Sequence, residues 1–333
     1  MVMKKAGRNF AVLMTLAVMV AGLAGCSNLE LKKGWGEDMA SEGDGDKITI
    51  GLCMDTLQEE RWQHDRDYFL ERAKELGAEV KVTEAAGDDE LQNKQADNLI
   101  SQGVDILVVV PHNGVTAAKI VQKAHRDGLQ VIAYDRLINN SEPDLYISFD
   151  NVKVGYFQGK YLLDHKPVGN YVLIGGAPTD YNAVLFRRGQ MKALQPAVDS
   201  GDIEIVFDDW AEDWKPENAR RLVENALTMN NDDVDAVVVS NDGTAGGAVQ
   251  ALKSRNLDGV VLVSGQDADL AACQRIVEGV QTMTVYKPIR RLARKAAEIT
   301  VAMANGEDIS GSVTETVNNG TADIPSVLIE PVQ

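Results

Sequence analysis

The chain has 333 residues, 33 Lys and Arg against 50 Asp and Glu for a formal charge of −17, and 44% hydrophobic residues. At roughly 150 residues per domain this suits two domains with real cores and excludes wholesale disorder. The acidic balance argues against nucleic-acid binding, and three Cys with four His suggest neither a zinc centre nor a disulfide framework, so a small neutral ligand without cofactor or metal fits best.

Residues 1–25 have the layout of an export signal. Lys4, Lys5 and Arg8 precede an apolar stretch from Phe10 to Val20, and small residues then lead to Cys26. Leu23-Ala24-Gly25-Cys26 resembles the bacterial lipobox, in which the Cys is lipidated and becomes the mature N-terminus. A short buried helix, or an ordinary signal followed by an incidental Cys, are the plainer alternatives. Removal of residues 1–25 would leave 30 basic against 50 acidic residues, a charge of −20. Acyl chains on Cys26 would then hold the protein at a membrane, at about 0.8 kcal/mol per buried CH₂. Residues 26–46 are polar and glycine-containing and read as a flexible tether of roughly 25 Å.

From Lys47 the pattern becomes regular, with short Val- and Ile-rich runs alternating with amphipathic stretches of helical period. Strands are expected at 48–52, 79–83, 106–110 and 130–133, separated by helices near 61–76, 90–102 and 115–126. The alternation restarts after 146–151, with strands at 171–174, 203–207, 236–239 and 260–263. The intervening helices lie near 154–163, 183–198, 216–229 and 245–255. Apolar strands separated by helices predict parallel sheets covered on both faces, hence two doubly wound α/β lobes. A short strand is expected at 281–285, and a helix near 288–305 should return to the first lobe. Strands at 312–317 and 327–329 would be crossovers or edges.

Ligands of parallel sheets bind beyond the carboxyl ends of the strands. Those positions hold Asp55 with Arg61 and Trp62, then Asp135 and Arg136, and then the loop Gly175 to Asn182 that contains Asp180. Trp214, Asn241, Asp267 and Lys287 follow later strands. Carboxylates accept, guanidinium and ammonium groups donate, amides do both, and indole rings suit the C–H faces of a sugar ring. Blander readings stay open for several of them. Asp242 and Asp269 read as helix N-caps, Asp135 and Arg136 could form a structural ion pair, and Trp214 could be a loop anchor. Gly175-Gly176 is a poor phosphate loop, lacking the following Gly-Lys-Ser/Thr. The His residues have no metal-ligand spacing. Cys53 and Cys273 read as buried thiols of different domains.

Seven stretches in order carry a resemblance: 60–67, 133–139, 146–151, 185–191, 240–247, 264–270 and 281–288. They resemble the type I periplasmic binding proteins, within them the bacterial D-xylose-binding family that serves ABC sugar importers. The resemblance covers the chain from about Lys47 onward. It implies two lobes joined by three crossover segments, with residues 47–151 and 289–318 in the first lobe and 152–288 and 319–333 in the second. It also implies a monosaccharide ligand, D-xylose foremost, an ABC permease as partner, and no catalysis. The residues implied to contact sugar are Arg61, Trp62, Asp135, Arg136, Asp180, Asn182, Trp214, Asn241, Asp267 and Lys287. A sensory role, with the closed form engaging a histidine-kinase ectodomain, is the second reading of the same fold. A glycosidase using Asp180 and Asp267 as its carboxylate pair is a remote third.

Overall fold

The computed structural model describes residues 47–333, so the expected signal, Cys26 and tether lie outside the described residues. The first lobe runs β1 (Thr49–Met54), α1 (Glu60–Glu75), β2 (Glu79–Glu84), α2 (Asp89–Ser101), β3 (Ile106–Val109), α3 (Ala118–Arg126), β4 (Gln130–Tyr134) and β5 (Leu145–Phe149). The second runs α4 (Asn151–His165), β6 (Gly169–Gly175), α5 (Tyr181–Ser200), β7 (Ile203–Trp210), α6 (Pro216–Met229), β8 (Ala236–Val239), α7 (Asp242–Lys253), β9 (Leu262–Val263) and α8 (Leu270–Glu278). Then come α9 (Ile289–Ala304), β10 (Glu315–Asn318) and β11 (Asp323–Ile329).

Two sheets result, ordered β10-β11-β5-β4-β3-β1-β2 and β7-β6-β8-β9. All neighbours are parallel except β10 and β11. Each strand feeds apolar residues to both faces, because successive side chains point opposite ways. Thus Leu52 and Met54 join Phe69 of α1 and Leu292 of α9 on one face of the large sheet. Cys53 packs on the other face with Leu99 of α2 and Val121 of α3. In the second sheet Val172 and Ile174 face α6 and α7, while Tyr171 and Leu173 face α4 and α5.

The placement of 319–333 in the second lobe is corrected by β11, which pairs in parallel with β5 through Ser326–Ile329 against Tyr146–Phe149. Ile324 and Val327 bury their side chains in first-lobe clusters, which fixes the strand there. Only the last residues turn back, where Tyr286 and Val332 exchange two backbone hydrogen bonds of 2.8 Å. The chain therefore crosses between lobes near 149–151, 286–289 and 329–332, and the first and third crossings are tied by Asp150 N–H donating to Ile329 O at 3.1 Å. The stretch 281–285 forms no regular strand, only an isolated bridge between Gln266 and Val285. Cys273 is exposed rather than buried, because α8 turns only Ala272 fully inward.

Candidate ligand-binding cleft

The cleft between the lobes opens where strands β1, β4, β6, β8 and β9 end. Arg61 and Trp62 enter it from the first turn of α1, and Asp135 and Arg136 directly follow β4. Asp180 is the N-cap of α5, its Oδ1 accepting from the Asn182 amide at 2.9 Å. Asn241 caps α7, accepting from the Thr244 amide at 2.9 Å, so the cap assigned to Asp242 belongs one residue earlier. All ten residues expected to contact ligand line one cavity of about 320 Å³, together with Glu59 and Phe186.

Three of the four carboxylates lining this cavity are matched to its cations. Arg61 donates to Asp135 at 2.9 Å and to Asp65 at 3.1 Å. Arg136 reaches Asp55 at 2.6 Å and, across the cleft, Asp180 at 2.8 Å. Lys287 Nζ lies 2.9 Å from Asp267. Asp135 and Arg136 are thus paired with other partners rather than with each other. Burial alone would push the Asp135 carboxyl up, but Arg61, Lys287 and Arg136 bring it below the usual range, whereas at Asp180 burial outweighs the Arg136 charge and the carboxyl is raised.

The aromatic residues serve both charge and shape. The Arg61 and Arg136 guanidinium carbons lie 4.1 and 5.1 Å from the Trp62 ring centroid, within cation–π range. Trp214 donates through Nε1 to Asp180 at 3.2 Å and meets Phe186 edge-to-face at 6.3 Å. Three lining residues, Asp135, Trp214 and Asp267, hold positive φ of 61°, 57° and 101°. Non-glycine backbone in that region costs about 1–3 kcal/mol and concentrates at functional sites.

A supporting layer that the sequence reading passed over fixes these side chains. Tyr134 donates its hydroxyl to Asp65, behind Arg61. Asn182 donates to Asp135 O at 3.1 Å and accepts from Asn151 at 2.9 Å, joining the lobes. Asp242 accepts from Gln281 and Thr284, each at 2.8 Å, and from the Asp269 amide at 3.1 Å, which ties the loop bearing Asp267. Phe186 stands four residues after Asn182, on the same helix face, and that period was a usable signal. The Gly175-Gly176 pair serves ring packing: a Cβ on Gly176 would fall 1.9 Å from the Trp214 ring, and one on Gly175 2.3 Å from Trp210.

Several buried acids titrate late. Burial raises Asp242 to about 7, helped by the Asp267 charge, and Asp269 to about 7 for the same reasons. Burial also lifts Asp65 to about 6 despite Arg61. An unfolded Asp releases its proton near 3.8, so between there and 7 the folded state binds more protons and stability falls as pH rises. His112 is raised above 6.5 by its hydrogen bond to Asp55, and its stabilisation is likewise lost as pH climbs. The melting temperature should therefore be higher at pH 5.5 than at pH 8, with Asp242→Asn reducing the difference. A flat profile over that interval would contradict the assignment.

Two α/β lobes closing on a polar, aromatic-flanked cavity define a cleft-type solute-binding protein. The chain belongs to the periplasmic binding protein family, whose domain it matches over residues 50–308. It is 54% identical over 286 residues to the D-xylose-binding periplasmic protein of Escherichia coli, covering 86% of each chain. Identity to the protein of the same name from Haemophilus influenzae is 52% over 285 residues, covering 86% of this chain and 85% of that one. Among solved structures it resembles an ABC transporter solute-binding protein of Clostridium phytofermentans with bound β-D-glucose. That likeness has a TM-score of 0.79 at 32% identity and covers 85% of this chain and 93% of the other.

Proposed function

We propose that this protein binds a monosaccharide, D-xylose before others, between its lobes outside the cytoplasm and presents it to an ABC importer. The carrying observation is the cavity itself: three cation–carboxylate pairs with Trp62 and Trp214 beside them, donors and acceptors around apolar ring faces. Buried charge-assisted hydrogen bonds to uncharged hydroxyls are roughly twice as strong as neutral ones. The names of the Escherichia coli and Haemophilus influenzae relatives support xylose as the sugar. Arg136–Asp180 and Asn182–Asp135 span the cleft, so a sugar inserted among them contacts both lobes and favours the closed form. The permease would read closure, and no bond is made or broken.

Membrane attachment through a lipidated Cys26 belongs to the same reading. It rests on Leu23-Ala24-Gly25-Cys26 behind a basic and then apolar stretch. No helix among the described residues is long and apolar enough to cross a membrane.

Calorimetry with D-xylose, L-arabinose, D-ribose and D-glucose tests the function. D-Xylose should bind tightest, and Asp267→Ala and Trp214→Ala should each weaken it at least tenfold while the protein stays folded. Binding of none of the four, or unchanged affinity in both variants, would overturn the reading.

A further inference from the structure

Four carboxylates line the cavity, and three are matched to its three cations: Asp135 to Arg61, Asp180 to Arg136, Asp267 to Lys287. Glu59 is the fourth, and among the described residues it forms no ion pair. Its Oε2 is buried and has no hydrogen-bond partner. An unbonded carboxylate oxygen away from water is costly unless something donates to it.

Its position on the helix strengthens the point. Glu59 is the N-cap of α1, where Ser, Thr, Asp or Asn would satisfy the free amides of the first turn. The Glu59 side chain makes no capping hydrogen bond. A poor capping residue whose carboxylate does not cap is not explained by helix formation. The side chain instead lines the cavity, and also the neighbouring space bounded by Asp55, His112 and Lys215, so it forms part of the partition between them.

We propose that Glu59 is an eleventh ligand contact, its carboxylate accepting a hydrogen bond from one hydroxyl of the bound sugar and so selecting for a hydroxyl at that ring position. The other three acids each have a cation within 2.9 Å, which leaves Glu59 as the cavity carboxylate without one among the described residues. Burial raises its carboxyl, the Arg136 charge opposing, and a sugar hydroxyl donating to Oε2 would hold it ionised. This inference rests on the sugar-binding reading above and adds a specificity element to it.

The test is a ligand–mutant cycle. Wild type, Glu59→Gln and Glu59→Ala are titrated calorimetrically with D-xylose and with its 2-, 3- and 4-deoxy analogues, folding being checked by thermal melting. For one analogue, wild type should lose roughly ten- to hundredfold in affinity relative to xylose, the range of hydrogen bonds to charged groups. The Ala variant should bind that analogue and xylose almost equally, and the Gln variant should fall between. The other analogues should show penalties that the substitutions leave unchanged. If wild type binds xylose but every deoxy penalty persists in the Ala variant, Glu59 is not a contact and only this inference falls. If wild type binds no sugar, the functional reading falls and this inference with it.

Discussion

Arg136→Ala is expected to abolish sugar binding, by at least a hundredfold, and to destabilise the protein by about 3–5 kcal/mol. The guanidinium lies between Asp55 at 2.6 Å and Asp180 at 2.8 Å, and it also donates to Pro111 O at 3.2 Å. Removing it leaves Asp180 buried without a cation and Asp55 with His112 as its remaining charged partner, and an unpaired buried charge costs more than the pair contributes. Arg136→Lys restores a charge without the planar fork, so it should recover stability in part and binding little. Chemical denaturation and calorimetry on the three proteins check this. An unchanged denaturation midpoint in the Ala variant would mean that Arg136 is not what neutralises these acids.

Gly176→Ala adds a single methyl and should still weaken sugar binding tenfold or more. The new carbon would stand 1.9, 2.1 and 2.2 Å from three atoms of the Trp214 ring, so the ring must leave its seat. It would then lose its hydrogen bond to Asp180 and its edge contact with Phe186. The φ of Gly176 is not in the left-handed range, so the glycine is required for space alone. Pairing the substitution with Trp214→Ala gives a discriminating measurement. With the ring already gone, the methyl should cost little more, and fully additive losses would refute the seating argument.

The strands were legible because Val- and Ile-rich runs such as 106–109 and 236–239 are buried on both faces and alternate with helices of clear period. The cleft was legible for a related reason: in a parallel sheet, chain order alone says which residues follow a strand's carboxyl end. Asp135, Asn241 and Asp267 needed no more than that. The sheet membership of β11 was not legible, because a run such as Val327–Ile329 can join whichever lobe its crossover reaches, and only its pairing with β5 decides. Glu59 was hidden by its chemistry, since an acidic residue opening a helix ordinarily reads as a dipole-compensating surface group. Gly176 was read against the wrong motif, because sequence shows a glycine's neighbours in the chain and not the ring from Trp214 that lies on it. The second layer behind Arg61 depends on Tyr134 meeting Asp65, 69 residues away in sequence, through side chains alone.

The third crossing carries a consequence for how such a protein can change over evolutionary time. Tyr286 is locked to Val332 by two backbone hydrogen bonds, and the next residue is Lys287, whose ammonium meets Asp267 inside the cavity. Asp150, at the first crossing, is held to Ile329 by one backbone hydrogen bond and immediately precedes Asn151, which anchors Asn182. The pivots and the recognition groups are therefore neighbours on the same backbone. A substitution that retunes the resting angle of the lobes also displaces a donor from its place in the cavity, and one that reshapes the cavity there loads the pivot. Affinity and the open–closed balance are then coupled traits, and lineages adapting to a new sugar would have to adjust both together.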